Sequence, residues 1–170
     1  MPTSSSTDQH RQAAPNRLAF AVLTMSDTRT LAEDRSGTLI VESMQAAGHS
    51  LVAHEIVRDE PSDICAEVGR LCAHRPLDAI ITTGGTGIAP RDQTPEAIRP
   101  LLDVEIPGFG EMFRMLSWDE IGPATMLSRA FAGRIGSVLI FCLPGSTGAV
   151  RLAMEKLIVP ELPHLVHHSR

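Results

Sequence analysis

The amino-acid sequence predicts an α/β fold with a mostly parallel sheet. From Leu18 onward, short apolar runs alternate with amphipathic segments, as expected for strands joined by crossover helices. Several of the apolar runs are nearly continuous, which indicates strands buried on both faces. The chain has 170 residues, 43% of them hydrophobic and 21% charged, so it can bury one substantial core. We therefore expect a single folded domain over residues 17–163.

Four strands are predicted, at Leu18 to Met25, Leu51 to Val57, Ala79 to Thr83 and Ser137 to Leu143. The first, third and fourth are nearly continuous in their apolarity, so we expect them inside the sheet. The second carries His54 and Glu55, which places it nearer an edge.

Helices are predicted between these strands. Ser36 is the expected N-cap of a helix through Ala47, and a second helix from Asp63 to His74 is stopped by Pro76. A short helix is expected to start at Thr94. The segment 106–128 has several glycines and prolines around two short amphipathic stretches, which predicts broken helices over one end of the sheet.

The two ends of the chain are predicted to lie outside the domain. Residues 1–16 are rich in Ser, Gln and Pro and lack an apolar segment, which is typical of a disordered tail. Residues 164–170 are expected to form a solvated tail. The three histidines in that tail, and the four elsewhere, show no metal-ligand spacing.

Composition and charge argue against two classes of partner. A formal net charge of -5 leaves no basic surface for generic nucleic-acid binding. The longest apolar runs are far shorter than the roughly 20 residues that cross a bilayer, so no membrane contact is expected. Cys65 and Cys72 lie too far apart on one predicted helix to pair, and Cys142 falls in a strand. A reducing cytoplasm is the compartment that fits best.

The stretch from Ala79 to Asp92 leads from a buried strand into a glycine-rich turn that ends on an acid. Its glycines permit backbone angles that point several N–H groups at one anion. Asp92 would repel a bare phosphate unless a cation such as Mg²⁺ lies between them. The turn predicts nucleotide chemistry, with a tight turn that binds no ligand as the alternative. The candidate binding residues are Gly84, Gly85, Thr86 and Gly87.

A second loop, Pro144, Gly145 and Ser146, follows the fourth strand and precedes a long amphipathic helix through Val159. Unpaired N–H groups and the helix dipole favour an anion there, although Ser146 could serve only as an N-cap. Because loops at the carboxyl ends of parallel strands meet in one crevice, we expect the two loops to share a site.

Polar side chains after the first and second strands are further candidates. Ser26, Asp34 and Ser36 could reach a ribose or base, or could simply form a turn and cap a helix. Asp59 could hold Mg²⁺ against a triphosphate together with Asp92, or could be an ordinary exposed turn acid.

An apolar cluster lies in the middle segment. Its members are Met112, Phe113, Met115, Leu116 and Trp118. Such a cluster indicates core or a subunit interface rather than a cofactor site, and we favour the interface.

Taken together, these motifs resemble the molybdenum-cofactor biosynthesis proteins of the MoaB/MogA type, whose relatives include the adenylyltransferase domain of gephyrin-like proteins. The similarity spans about Leu18 to Leu162. It rests on Ser26-Asp27, Asp34-Arg-Ser-Gly37, Thr82-Thr-Gly-Gly-Thr-Gly87, Arg91-Asp-Gln-Thr-Pro95, Ile106-Pro-Gly-Phe-Gly-Glu111, Leu127-Ser-Arg129 and Leu143-Pro-Gly-Ser146. The segments 113–117 and 119–122 are more similar to the MoaB branch.

The resemblance implies a three-layer α/β/α sandwich that binds molybdopterin and adenylylates its terminal phosphate with Mg-ATP, releasing pyrophosphate. Asp59 and Asp92 would bind or orient the metal and take part in catalysis, and Glu111 and Arg129 would contact substrate. The family also implies a homo-oligomer, a trimer or hexamer, that works with other proteins of the pathway. The alternative is a noncatalytic pterin- or nucleotide-binding oligomer in the same pathway.

Overall fold

A computed structural model describes residues 17–73 and 76–170, and its centre is a six-stranded sheet. The strands are β1 (Ala19–Met25), β2 (Ser50–Val57), β3 (Ala79–Thr83), β4 (Val104–Glu105), β5 (Phe131–Ile135) and β6 (Val138–Leu143). The predicted tail at residues 1–16, and the predicted helix end at His74, lie outside the described residues.

The strand order is β2-β1-β3-β6-β5-β4. The first four strands in this order are parallel, and β5 and β4 are antiparallel to their neighbours. The mostly parallel sheet is thus confirmed, as is the edge position of the second strand. Strands β4 and β5 were not predicted from the sequence. The β5 segment is short and contains Gly133, where a side chain would press on Leu102 and on the Val104 carbonyl of β4.

Six α-helices connect and flank the described strands. They are α1 (Arg35–Ala46), α2 (Pro61–Ala73), α3 (Thr94–Ile98), α4 (Pro107–Ile121), α5 (Thr147–Ala153) and α6 (Val159–Ser169). Two apolar cores lie on opposite faces of the sheet. In β1, for example, Phe20 and Val22 face the helices α1, α5 and α6, while Ala21 and Leu23 face α2. This arrangement confirms the three-layer α/β/α fold.

The start of α1 differs from the prediction. Asp34, not Ser36, is the N-cap, and its Oδ1 accepts a hydrogen bond from the Gly37 N–H at 2.9 Å. Ser36 lies within the first turn of the helix and is buried. Both residue types are good caps, so the sequence alone did not distinguish them.

The middle segment forms the 15-residue helix α4 and then a separate 3₁₀ turn, so it is broken at only one of the two predicted places. Gly122 ends α4, whereas Gly108 and Gly110 lie inside its first turn. A side chain at Gly110 would come within 2.6 Å of the Ala130 carbonyl, so this glycine permits close packing of α4 on the following strand. A 3₁₀ turn over Gly122–Leu127 then leads to β5.

The predicted solvated tail at residues 164–170 is wrong, because α6 continues to Ser169 and Val166 is fully buried. A π-helical stretch, Met154–Ile158, joins α5 to α6. Pro160 follows it and has no N–H to donate, which favours an irregular turn there. Arg170 ends the chain with an ion pair to Asp78, 2.6 Å away.

The three cysteines, all within the described part of the chain, form no disulfide. Cys142 is buried in β6, and burial raises the pKa of its thiol to about 12. Within the described ranges, no helix combines the length and apolarity needed to cross a membrane.

Candidate active site

Loops after β1, β3 and β6 meet at the carboxyl end of the sheet. The Thr83 hydroxyl donates to the Pro144 carbonyl at 2.9 Å, and the Gly84 N–H donates to the Leu143 carbonyl at 3.0 Å. The Ser36 hydroxyl donates to the Gly145 carbonyl at 2.9 Å. These contacts bring together the predicted glycine turn and the second loop, as expected for loops at adjacent parallel strand ends.

The glycine turn requires glycine at two successive positions. Gly84 and Gly85 have φ angles of 103° and 63°, which residues other than glycine rarely adopt. A Cβ at Gly84 would lie 2.5 Å from the Met25 carbonyl of β1. The backbone of the turn therefore passes too close to the neighbouring strand for any other residue.

All four carbonyls of the turn, from Gly84 to Gly87, accept hydrogen bonds from residues later in the chain. Thr94 supplies two donors, its hydroxyl to Gly84 at 3.0 Å and its N–H to Gly85 at 3.1 Å. Arg129 supplies the other two, its N–H to Thr86 at 3.1 Å and its Nε to Gly87 at 2.8 Å. Each C=O of a trans peptide points opposite to the next N–H. The N–H groups of residues 85–88 therefore point away from these donors.

The Arg129 guanidinium contacts the carbonyl side of the turn, opposite to the N–H groups. Besides Gly87, it donates to the Asp92 carbonyl at 2.7 Å and forms an ion pair with Glu96. The structure thus supports a positioning role for Arg129, since its Nε and Nη2 donate to two carbonyls of the loop. Its predicted direct contact with a substrate stays a prediction.

The two predicted acids both lie against the turn. A Cβ at Gly85 would come within 2.8 Å of Asp59 Oδ1, and a Cβ at Gly87 would come within 2.6 Å of Asp92 Oδ2. Asp92 Oδ2 also accepts the Ala89 N–H at 2.9 Å. The glycines therefore leave room for the carboxylates as well as for backbone approach.

Asp59 is in an unfavourable place for a negative charge. It is buried, and its Oδ1 has no hydrogen-bond partner within the described part of the chain. Burial, followed by the nearby charges of Asp27 and Asp92, raises the pKa of this carboxyl, while Arg91 acts in the opposite direction. Asp59 is therefore not the ordinary exposed turn acid that was the alternative.

Asp27, a neighbouring acid, is already neutralised. Arg91 donates to both of its oxygens, at 2.9 and 3.0 Å, and this pairing is the main reason that the pKa of Asp27 is lowered. Asp59 and Asp92 lack such an arginine clamp. A cation between them would relieve their repulsion and give Asp59 Oδ1 a partner, so these two residues fit a bound Mg²⁺. Among residues 17–73 and 76–170, no larger group of three or more His, Cys, Asp or Glu is arranged as a metal site.

An apolar cavity of about 360 Å³ opens beside the two loops. Thr86, Gly87, Pro144 and Ser146 form one side of it. The other side is formed by α4, the 3₁₀ turn and α5, through Phe113, Ser117, Glu120, Ile121, Ala124, Thr125, Leu127, Ser128, Gly148 and Ala149. This second wall could not be predicted from the sequence, because it exists only once α4 packs over the end of the sheet.

The predicted substrate contact of Asp34 is corrected by the structure. Its side chain is fully buried, and its Oδ2 accepts the Thr24 hydroxyl at 2.6 Å and lies 2.9 Å from His54 Nε2. With Gly37 on the other oxygen, the carboxylate accepts three hydrogen bonds within the fold and exposes no surface to a ligand. Ser36 is also buried, and its hydroxyl joins the start of α1 to the loop at Gly145.

Ser26 and Ser146 both have local structural contacts. The Ser26 hydroxyl accepts the N–H groups of Thr28 and Arg29, at 3.3 and 3.1 Å, which shapes the turn after β1. Ser146 caps α5 by accepting the Ala149 N–H at 3.3 Å, and it also lines the cavity. Of the two, only Ser146 lines the cavity, and the predicted ligand contact of Ser26 stays a prediction.

Glu111 and the predicted interface cluster lie on α4. Glu111 is exposed in the first half of the helix and does not line the cavity. Phe113 is buried and forms part of the cavity wall, whereas Met112, Met115 and Trp118 are exposed by 50%, 64% and 56%. The interface assigned to these exposed side chains stays a prediction.

Comparison with known proteins agrees with this geometry. A family model described as a probable molybdopterin binding domain matches residues 21–164. The chain is 50% identical to molybdenum cofactor biosynthesis protein B of Bacillus subtilis (strain 168), with 97% of this chain and 98% of the relative covered.

Solved structures show the same similarity. A crystal structure of molybdenum cofactor biosynthesis protein B superimposes with a TM-score of 0.89 and 48% identity, covering 92% of this chain and 98% of that one. The tungsten cofactor synthesizing protein MoaB from Pyrococcus furiosus gives a TM-score of 0.83 and 40% identity, covering 92% and 99%.

Proposed function

Because this chain belongs to the MoaB-type family of molybdenum-cofactor biosynthesis proteins, we propose that it adenylylates molybdopterin. In this reaction the terminal phosphate of molybdopterin attacks the α-phosphorus of ATP, and pyrophosphate leaves. The products are adenylylated molybdopterin and pyrophosphate. No covalent bond to the protein is needed.

The observation that carries the proposal is the pairing of an anion-binding turn with two acids. The N–H groups of residues 85–88 point away from Thr94 and Arg129 and can therefore donate to phosphate oxygens. A phosphate site would not normally contain a buried carboxylate such as Asp59 unless a cation accompanied the ligand. A site that binds phosphate together with a divalent cation is typical of enzymes that use a nucleoside triphosphate.

The protein residues have separate tasks under this proposal. The turn N–H groups hold and orient the phosphates, and Arg129 keeps the turn in the conformation that presents them. The apolar cavity beside Phe113 and Ser146 takes the pterin ring system and limits water near the reacting phosphate. Asp59 and Asp92 would hold Mg²⁺, which when bound offsets negative charge on the triphosphate.

The proposal is tested by incubating the full chain with molybdopterin, ATP and Mg²⁺ and measuring adenylylated pterin and pyrophosphate. We expect both products in equal amounts and no turnover when Mg²⁺ is omitted. Asp92→Ala should abolish product. Asp103→Ala removes an exposed acid far from the turn and should leave the rate unchanged, so it is the matched control.

A chain that binds molybdopterin with Asp92 intact but forms no pyrophosphate, where an active homologue does, would contradict the proposal. That result would instead support a noncatalytic pterin-binding protein of the same pathway. Failure to bind any pterin while binding another phosphorylated metabolite would indicate a different substrate on the same scaffold.

We further propose that the chain forms a homo-oligomer, a trimer or hexamer, and works in the cytoplasm with other proteins of the pathway. Three large exposed side chains of α4, Met112, Met115 and Trp118, support self-association, because apolar side chains of this size rarely cluster on a free surface. Light scattering on the wild type and on Met115→Glu tests this. A mass of one chain for the wild type would contradict it.

A further inference from the structure

Two histidines near the end of α6 hold their Nε2 atoms close together. The sequence indicated no metal-ligand spacing among the histidines, because the segment was predicted to be a tail; in α6, however, His164 and His168 are four residues apart and lie on the same face of the helix. Their Nε2 atoms are 3.0 Å apart, and their rings meet edge to face with centroids 4.7 Å apart. Neither side chain belongs to the nucleotide and pterin site described above.

A nearby carboxylate sets the tautomer of one ring. Glu161 Oε2 lies 3.2 Å from His164 Nδ1, one turn earlier on the helix. Since an ionised carboxylate only accepts hydrogen bonds, His164 Nδ1 carries the proton and its Nε2 carries the free lone pair. A carboxylate bound to the far nitrogen of an imidazole is the usual support of a metal-ligating histidine.

We propose that His164 and His168 bind one divalent transition metal ion of the imidazole-preferring group, Ni²⁺, Cu²⁺ or Zn²⁺. Both rings bind through Nε2 as neutral imidazoles with the proton on Nδ1, and water fills the remaining positions. Glu161 orients His164 and is not itself a ligand. In the absence of metal, an N–H···N hydrogen bond between the two Nε2 atoms occupies the same space.

The site is separate from the proposed adenylylation site. Helix α5 starts after Ser146, at the carboxyl end of the parallel strands, and the chain runs back through α6 to Arg170, which meets Asp78 just before β3 begins. The metal site therefore lies toward the amino end of the parallel strands, and the glycine turn lies at their carboxyl end. Loss of metal binding and loss of adenylylation can then be measured independently.

The test is a titration of the full chain with CuCl₂ and, separately, ZnCl₂, followed by calorimetry. Electron paramagnetic resonance of the Cu²⁺ form counts the coordinated nitrogens. We expect one ion per chain, Cu²⁺ tighter than Zn²⁺, and two equivalent nitrogen ligands. MgCl₂ should not compete, because Mg²⁺ prefers oxygen ligands.

Variants assign the site to these residues. His164→Ala and His168→Ala should each lose the calorimetric binding, and Glu161→Gln should weaken it by roughly tenfold. His167→Ala removes the histidine between them and should bind as the wild type does. Alanine favours helix, and His168 is exposed, so unchanged circular dichroism will show that lost binding is not lost folding.

Two results would overturn the proposal. One is wild-type Cu²⁺ affinity in His168→Ala, which would place the metal elsewhere among the seven histidines of the chain. The other is a spectrum of the wild type with a single nitrogen ligand. Loss of binding in the two histidine variants, with normal binding in His167→Ala, supports the proposal whatever the adenylylation assay shows.

Discussion

Replacing Asp34 with alanine should destabilise the fold rather than weaken substrate binding. Asp34 caps α1 through Gly37, and the lost cap costs about 1 kcal/mol. Thr24, which is fully buried, and His54 then lose their acceptor, and each orphaned donor costs about 1 to 3 kcal/mol. Thr24 can rotate and His54 is partly exposed, so the low end applies to both. The total is about 3 to 4 kcal/mol.

Thermal and urea unfolding measure this loss. For a chain of this size, 1 kcal/mol shifts Tm by about 2 to 4 °C, so we expect Asp34→Ala to melt about 6 to 16 °C lower. Asp34→Asn keeps the acceptor for Gly37 and should lose only about 1 to 2 kcal/mol. Asp63→Ala, at an exposed position in the first turn of α2, should change the free energy of unfolding by less than about 0.5 kcal/mol.

The pH dependence gives an independent check. Burial of the Asp34 carboxyl raises its pKa, but hydrogen bonds from Thr24, Gly37 and His54 outweigh burial and leave the pKa lowered. A carboxyl whose pKa is lowered by folding stabilises the fold at pH values above its ordinary pKa, which is about 4. This contribution disappears as the pH falls through the lowered pKa. The gap between wild type and Asp34→Ala should therefore narrow in acid. An unchanged Tm with a raised KM for ATP would refute the reasoning and restore Asp34 as a substrate contact.

Three further variants test the turn. Asp59→Asn should raise the free energy of unfolding at pH 7 by about 0.5 to 2 kcal/mol and abolish adenylylation. The pKa of Asp59 is raised in the fold, so its ionised form destabilises the fold as the pH rises. A less stable, active variant would contradict this. Gly85→Ala places a Cβ against Thr94 and Asp59 at a positive φ angle and should lower kcat/KM by about 100-fold. The control is Gly69→Ala on α2, where a Cβ would meet open space; this variant should be active and slightly more stable. Arg129→Lys cannot hold two carbonyls at once and should lower kcat/KM by about tenfold with normal pterin affinity, so equal losses in both would argue for direct substrate contact.

The buried strands and their loops could be predicted because the sequence encodes them locally. The apolar runs of β1, β3 and β6 identified the centre of the sheet, and the turn residues that follow β3 identified the site. Asp59 could be paired with Asp92 because the carboxyl ends of parallel strands share one edge.

The remaining features depend on tertiary packing that no local pattern records. Gly110 resembles a helix breaker, yet it is in α4 because Ala130 packs against it. Prolines at 160 and 163 resemble the end of a helix, yet burial of Leu162 and Val166 keeps α6 intact to Ser169. Burial of an amphipathic face therefore outweighed the local preference at both places.

The glycine turn can present its N–H groups to an anion only because of residues outside the motif. Glycine permits many backbone conformations, and a turn with its carbonyls toward the crevice would repel a phosphate. Thr94 and Arg129 remove that possibility, because their four donors hold every carbonyl from Gly84 to Gly87 on the far side. Asp34 and Asp59 differ in the same way: the Asp34 carboxylate accepts three hydrogen bonds within the fold, whereas Asp59 Oδ1 is buried without a partner. We therefore expect Asp34 to support the fold and Asp59 to meet a ligand.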